Sequence, residues 1–417
     1  MAKKMNRRSF LKYSGAVGAT TAISGFPAIL RSQPKEILVG AVHPVTGPAA
    51  DIGVSCRRAS LLAVEEVNSR GGIKSLGGAK LKLLLGDNAF KEEQGRMEAE
   101  RVMKEGAVVL TGPFSSGVAM TIATLCEQRQ IPFVMDVAAA ANITQQGFKY
   151  TFRCFPTSSN FAGNEILYLE TLMKEKSISK LKAVVSNTGD LFGRDQGATF
   201  IKFFKDKKFP VDVLAHIEYP LGIQDLSAEV SKIKALKPEI LIPITRPGDA
   251  KLMITELYKQ RVELMALIGS GPGLYEPEFV RDMKALSEYT MDNVPWYNPQ
   301  GKMYKEVNDR FSKLYPGKYI DTNSGYSYLA ILVIADALER AKSAKPEDIK
   351  EAVKKTYFKQ DLMVGGAVTF NDKGDNVNAD TAMVQVLGGA VKVVMPAKAA
   401  EAKYVFPMPK QLWERGM

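Results

Sequence analysis

From Glu36 onward the chain alternates short runs of β-branched and aliphatic residues with longer stretches in which apolar residues recur every three to four positions. The short runs read as strands and the longer ones as amphipathic helices, and their regular alternation marks βαβ units built around parallel sheets. Residues 37–42 predict a first strand. Residues 58–68 predict a helix with Ala59, Leu62, Ala63 and Val67 on one face, stopped by Gly71-Gly72. Further strands are expected at 81–85, 107–110 and 132–135, with helices at 92–105 and 116–130 between them. After 150–152 and the break at Pro156 the pattern resumes, with strands at 182–186, 213–217, 240–244 and 266–269 and helices at 160–174, 192–207, 226–236 and 249–260. From Pro295 on, helices at 304–314, 324–341 and 346–355 precede a turn-rich strand segment at 364–395. That remainder is too strand-poor for a third domain and is expected to complete the first two. The expected fold class is α/β, with two doubly wound parallel-sheet lobes.

Ahead of this pattern lies a segment of another kind. Asn6-Arg7-Arg8-Ser9-Phe10-Leu11-Lys12 leads into a weakly apolar run at 13–30 that holds no acidic residue. An arginine pair in that setting is a twin-arginine export signal, read by the translocase for folded proteins. The competing readings are a basic tail or a spanning helix, but spanning needs about 20 mostly apolar residues. Here Ser14, Gly15, Gly18, Thr20, Thr21, Ser24, Gly25 and Pro27 dilute the run. No clean Ala-x-Ala site occurs, so removal is placed between Ala28 and Gln33. The first cysteine is Cys56, which argues against a lipoprotein anchor. The working part is expected in the periplasm.

Composition narrows the classes. Without residues 1–33, roughly 380 remain, enough for two domains of ordinary size. The formal net charge is +11, of which Lys3, Lys4, Arg7, Arg8, Lys12 and Arg31 supply six, leaving +5 for the rest. That is too mild to imply a nucleic-acid partner. The three cysteines, Cys56, Cys126 and Cys154, are widely spaced and odd in number, so they form neither a disulfide framework nor a metal-ligand set. With only His43 and His216, and no HExxH or CxxC, a transition-metal site is not expected. GxSxG, the Walker lysine motif and GxGxxG are also missing, and no cofactor is expected. Catalysis needs a nucleophile with a positioned base, a carboxylate pair or a metal. No triad can be assembled from these residues, and His43 reads as a structural or rim residue. An enzyme is therefore not expected, and a secreted hydrolase is kept only as an alternative.

Specific motifs sharpen the picture. Pro44-Val45-Thr46-Gly47-Pro48-Ala49-Ala50-Asp51-Ile52-Gly53, Ala59 to Ala63, and Val64-Glu65-Glu66-Val67-Asn68-Ser69-Arg70-Gly71-Gly72-Ile73 together resemble the opening of periplasmic leucine/isoleucine/valine-binding proteins. The resemblance continues through Gly86-Asp87-Asn88, Leu110 to Gly117, Gln130-Ile131-Pro132-Phe133, Asp190-Leu191-Phe192-Gly193-Arg194 and Phe370-Asn371-Asp372-Lys373-Gly374-Asp375. It spans nearly the whole chain after the export signal. It implies a type I periplasmic binding protein, with two lobes joined by three hinge crossings and a ligand clamped between them. The crossings are expected near 153–157, 291–295 and 364–367. The lobes are then 34–155 with 293–365, and 156–292 with 366–417. The resemblance also implies a small-molecule ligand, with a membrane permease and an ATPase of an ABC importer as separate chains. A ligand sensor for amides or small acids is the alternative.

In such sheets ligands gather at the carboxyl ends of strands, where helix N-termini present free N–H groups. Ser115 and Ser116 open the helix at 116–130 and suit a carboxylate, and the resemblance makes Ser116 the carboxylate contact. The competing reading is that one of them merely caps its helix. Ala138 and Ala139 match the family's second contact through their backbone groups, against plain loop filler. Phe192 matches an aromatic lying over the ligand, against a core phenylalanine. Arg246 follows the strand at 240–244 and should face the cleft, against a surface arginine paired with Asp249. In the amino-acid binders, an acid after the next strand holds the ligand's ammonium, because a buried cation needs a partner. Here that turn reads Gly269-Ser270-Gly271-Pro272-Gly273, with Gly271 facing the ligand and no carboxylate. A shift in alignment would bring Glu276 to the position. The family's tyrosine near Ile52 is also missing. The expected ligand is a small carboxylate, an organic or aromatic acid or an amino acid, with Phe192, Trp296, Tyr297 or Tyr326 as apolar walls. For Trp296 and Tyr297, packing at the hinge is the competing reading.

Overall fold

The computed structural model describes residues 35–416, so the twin-arginine segment lies outside the described residues. The first sheet is built from β1 (Glu36–His43), α1 (Ala50–Ser69), β2 (Lys80–Asp87), α2 (Glu92–Lys104), β3 (Val109–Gly112), α3 (Ser116–Arg129), β4 (Phe133–Met135) and β5 (Thr151–Arg153). Its five strands run in the order β2-β1-β3-β4-β5, all parallel. Both faces of its central strands are covered, which is why β3 and β4 are buried at every position, the one hydroxyl among them, Thr111 Oγ1, donating to Val134 O (2.8 Å).

The second sheet begins with α4 (Ser158–Glu175), β6 (Leu181–Thr188), α5 (Leu191–Asp206), β7 (Val211–Tyr219), α6 (Ser227–Leu236), β8 (Ile240–Ile244), α7 (Pro247–Lys259), β9 (Ala266–Gly269), α8 (Pro277–Met283) and β10 (Met291–Val294). The chain then returns to the first sheet with α9 (Lys302–Leu314), α10 (Thr322–Ala341) and α11 (Pro346–Lys354). Buried along most of its length, α10 packs against α1. Finally β11 (Ala382–Leu387) and β12 (Ala390–Met395) close the second sheet, in the order β12-β11-β10-β9-β8-β6-β7. Strands β7 to β10 are parallel, while β10, β11 and β12 pair antiparallel, so a hairpin caps one edge. The chain crosses between the sheets after β5, after β10 and on the way into β11.

Three elements depart from the sequence pattern, the short α8 lying where no element was expected. The helix expected from residue 58 begins at Ala50. Gly53 masks its first turns in sequence, yet a Cβ there would come within 2.0 Å of Pro44 O, so the glycine is what lets the helix start against the loop after β1. The stretch at 291–295, expected as a bare crossing, contains β10. Its Asp292 and Asn293 hide the strand signal because both are buried polar residues with structural tasks.

At the first and third crossings the backbone is stapled. Arg153 N donates to Gly374 O (2.7 Å) and Asn376 N donates to Arg153 O (3.1 Å). The Arg153 side chain is fully buried; its Nη2 donates to Ala140 O (2.9 Å) and Thr144 Oγ1 (3.1 Å), and its Nε lies 3.2 Å from Asp375 Oδ1.

Candidate functional site

Strand order reverses direction between β1 and β3 in the first sheet and between β6 and β8 in the second. At such switch points the loops leaving the carboxyl ends diverge and open a crevice. The residues that follow these strands converge on one gap between the sheets. Ser116, Ala138 and Ala139 line it from the first sheet, and Phe192, Arg246 and Gly271 from the second. Phe155, Tyr275, Pro295 and Asn323 close its sides.

The first-sheet wall is a cluster of hydrogen-bond donors. Ser115 is the N-cap of α3, but its side chain makes no capping bond, and Ser116 follows as the first helical residue. Neither serine caps the helix by its side chain. Ser116 Oγ accepts a long bond from Ala140 N (3.4 Å), while the buried N–H groups of Ala138 and Ala139 have no partner among the described residues. Together with the positive end of α3, these groups suit an anion. The 137–140 stretch is held by Asp136, whose Oδ1 accepts from Val137 N (2.6 Å) and whose Oδ2 accepts from Ser327 Oγ (2.5 Å) and meets His43 Nε2 (2.9 Å).

The second-sheet wall is aromatic and cationic. Asp190 caps α5 by accepting from Gly193 N (2.8 Å) with Oδ1, and its Oδ2 accepts from Arg246 Nε (3.1 Å) and Nη2 (2.6 Å). Arg246 therefore pairs with Asp190. Asp249, the partner weighed from sequence, accepts from the Arg246 backbone N–H (2.9 Å) and from the Tyr219 hydroxyl (2.7 Å). The Arg246 guanidinium lies over three rings, Phe192 at 4.5 Å, Phe114 at 5.0 Å and Phe90 at 5.6 Å.

The turn after β9 comes close to this cage. Gly271 has φ +154°, and a Cβ on it would come within 3.0 Å of the Phe192 ring. A side chain at position 271 would therefore run into Phe192. Beneath the turn, the fully buried Asp292 accepts from Gly271 N (3.2 Å) and Leu274 N (3.3 Å), and burial pushes its carboxyl well above the usual range. Glu276 lines a neighbouring cavity with Asp51 and Asp321. Its Oε1 accepts from Asn323 Nδ2 (3.2 Å), and burial, reinforced by Asp321, holds its carboxyl far above the usual range.

Ser115 and Tyr326 do not line the gap. Tyr326 is buried in α10, behind Phe155, with ring centroids 4.9 Å apart and planes at 69°. Trp296 is fully buried edge-on to Tyr275 (5.0 Å), and Tyr297 stacks on Tyr304 (4.3 Å). The sequence reading passed over Phe90, Phe114, Asp190 and Asn323. Of these only Asp190 carried a local signal, as the acid two residues before Phe192 at a helix start. His43 and His216 lie on different sheets, in β1 and β7.

The chain matches the family described as periplasmic binding protein over residues 36–390, and the twin-arginine translocation pathway signal sequence over residues 4–24. It is 25% identical over 385 residues to a Leu/Ile/Val-binding protein homolog 7 of Brucella abortus, covering 89% of this chain and 94% of that one. Among solved structures it resembles a leucine-binding protein of Thermotoga maritima, with TM-score 0.74 and 20% identity over 86% of this chain and 97% of that one. It also resembles a solute-binding protein of an ABC transporter from Rhodopseudomonas palustris in complex with 3,4-dihydroxybenzoic acid, with TM-score 0.72 and 18% identity over 86% and 95% of the two chains.

Proposed function

The chain belongs to the periplasmic binding protein family, the substrate-binding components of ABC importers of the branched-chain amino acid type, and carries a twin-arginine signal; from that premise we propose that it clamps a small carboxylate without an α-amino group. The observation that carries this reading is Gly271. The turn that would supply a counter-ion for an ammonium offers a glycine whose missing side chain makes room for Phe192. Glu276 is no substitute, because it lines the neighbouring cavity with Asp51 and Asp321 rather than the gap, and its Oε1 is taken by Asn323 Nδ2. Among the similar structures, one is described as binding leucine and another holds an aromatic acid, so the fold accommodates both chemistries.

In this reading the carboxylate accepts from Ser116 Oγ and from the N–H groups of Ala138 and Ala139, at the positive end of α3. Phe192 covers the apolar part, and Arg246, already neutralised by Asp190, contributes its flat face rather than a free charge. The lobes are then residues 35–155 with 295–365 and 156–294 with 366–416, the boundary expected at 293 moving to 295 because β10 belongs to the second sheet. Closing on the ligand shifts the population toward the form that docks on a permease, which hands the ligand across the membrane. His43, Asp136 and Ser327 do not make a catalytic set: Ser327 donates to the aspartate rather than to the histidine, and all three are fully buried.

Differential scanning fluorimetry of the exported form tests the reading. Carboxylates lacking an amino group should raise the melting temperature, since a ligand at 100 times its Kd adds about 2.7 kcal/mol. Ser116→Ala should weaken the stabilising acid roughly ten- to hundredfold, the range for a hydrogen bond to a charged group. Stabilisation by leucine or valine alone would overturn the proposal.

A further inference from the structure

Beside the ligand gap the two lobes meet again, across the cavity that Glu276 lines. Asp51 and Arg58 of α1, with Lys318, Tyr319 and Asp321 ahead of α10, form its first-lobe side; Glu276, Glu278 and Arg281 form its second-lobe side. Glu276 is the N-cap residue of α8, yet its side chain makes no capping bond. It reaches over to the other lobe instead, where Oε1 accepts from Asn323 Nδ2 (3.2 Å) on α10. Tyr275, one residue earlier, and Asn323 both border the ligand gap, so this joint lies at its side.

The cations nearby are engaged elsewhere. Lys251 pairs with Glu278 (2.6 Å) and Asp282 (2.7 Å), Arg281 pairs with Asp282 (2.9 Å), and Arg58 lies over the Tyr315 ring at 4.7 Å. The charges that act most on Glu276 are those of Asp321, Glu278 and Asp51, all of its own sign, and with burial they push its carboxyl up. Asp321 is a different case. Its oxygens accept from Ser324 N (2.8 Å), Ser324 Oγ (2.8 Å) and Ser55 Oγ (3.2 Å), all within its own lobe, so these bonds survive separation of the lobes. Glu276 is the carboxyl whose surroundings change: ionised, it has water in an open cleft, and the desolvated Asp51 and Asp321 in a closed one.

We infer that closure of the lobes carries a proton in on Glu276, so that the joint at Asn323 shuts in acid and loosens in alkali. Closure is favoured fully below the open-form value of the carboxyl, about 4.3 for an ordinary glutamate, and the favour is lost as pH rises through the closed-form value. Between the two, the ratio of closed to open forms falls about tenfold per pH unit. This device does not depend on which acid the cleft holds.

Small-angle X-ray scattering of the exported form without ligand, from about pH 5 to about pH 9, reads closure as a radius of gyration across that window. The parent should expand as pH rises. Glu276→Gln is neutral and still accepts from Asn323, so it should stay compact throughout. Glu276→Ala lacks both proton and bond and should be expanded at every pH; it serves as the test if circular dichroism shows the glutamine variant unfolded. Asp321→Asn can still cap α10 and should keep the transition with a smaller amplitude. A parent radius that ignores pH, or one that changes alike in parent and Glu276→Gln, would overturn the inference. Loss of the transition in Asp321→Asn with its survival in Glu276→Gln would also overturn it, moving the proton to Asp321. Each of these results leaves the carboxylate reading standing, since that reading is tested at Ser116.

Discussion

Replacing Arg153 by alanine will destabilise the protein by about 3–5 kcal/mol, the range for removing one partner of a buried ion pair. Arg153 has no solvent exposure, and its guanidinium joins Ala140 O, Thr144 Oγ1 and Asp375. Burial lowers its pKa and Asp375 opposes that, so the charge is sustained by its neighbours rather than by water. The truncation leaves the Ala140 carbonyl without its Arg153 donor and the Asp375 carboxylate without its counter-ion, beside a new cavity. Asp375→Asn should cost less, because the Asp375 side chain is 16% exposed and the amide still accepts a hydrogen bond. Urea unfolding monitored by circular dichroism measures both. Equal and small losses, under about 1 kcal/mol, would mean that the pair behaves like a surface salt bridge and that the crossing is held by its backbone bonds alone.

The second large effect depends on pH. Glu165 in α4 is fully buried, and among the described residues neither carboxylate oxygen has a hydrogen-bond partner. Asn293 lies beside it, but its Nδ2 is given to Phe161 O (2.8 Å), while its Oδ1 is unpartnered. A carboxylate so placed has lost its water without a salt-bridge partner, and a proton on Glu165 removes the charge. Burial accordingly pushes the Glu165 pKa well up. An acid whose folded pKa is raised gives its full stability below the unfolded value, near 4.3, and loses it as pH rises toward the folded one. Within that window the folded state holds one extra proton, and stability falls by about 1.4 kcal/mol per pH unit from this group. Glu165→Gln keeps the shape and supplies a permanent N–H donor. The variant should match the parent near pH 4.5 and exceed it increasingly toward pH 8, in denaturant melts across that range. Parallel pH profiles would show that Glu165 ionises in place.

Much of the fold was written locally. Covered strands such as β4 and β8 are continuous apolar runs, and the alternation of such runs with helices made the order of elements legible. The misses have local causes as well: Gly53 hid the start of α1, and Asp292 with Asn293 hid β10. The site was less legible, because it is made by contacts distant in sequence. Ser116 stood out through its position after a strand. For Arg246, expected to face the cleft, the competing reading offered Asp249, three residues away, as partner, whereas the partner is Asp190, brought alongside because β6 and β8 are neighbours. Phe90 and Phe114 drew no reading of their own, because the cation that lies over them comes from the second lobe.

The three cysteines are buried and unpaired, with burial pushing each thiol up and away from the reactive thiolate. Cys56 and Cys154 sit in one hydrophobic cluster and Cys126 in another. Maturation of this fold thus asks for no oxidant, no disulfide isomerase and no change of redox environment. The chain can reach its finished form in a reducing cytosol and cross the membrane already folded, which is the cargo the twin-arginine route accepts.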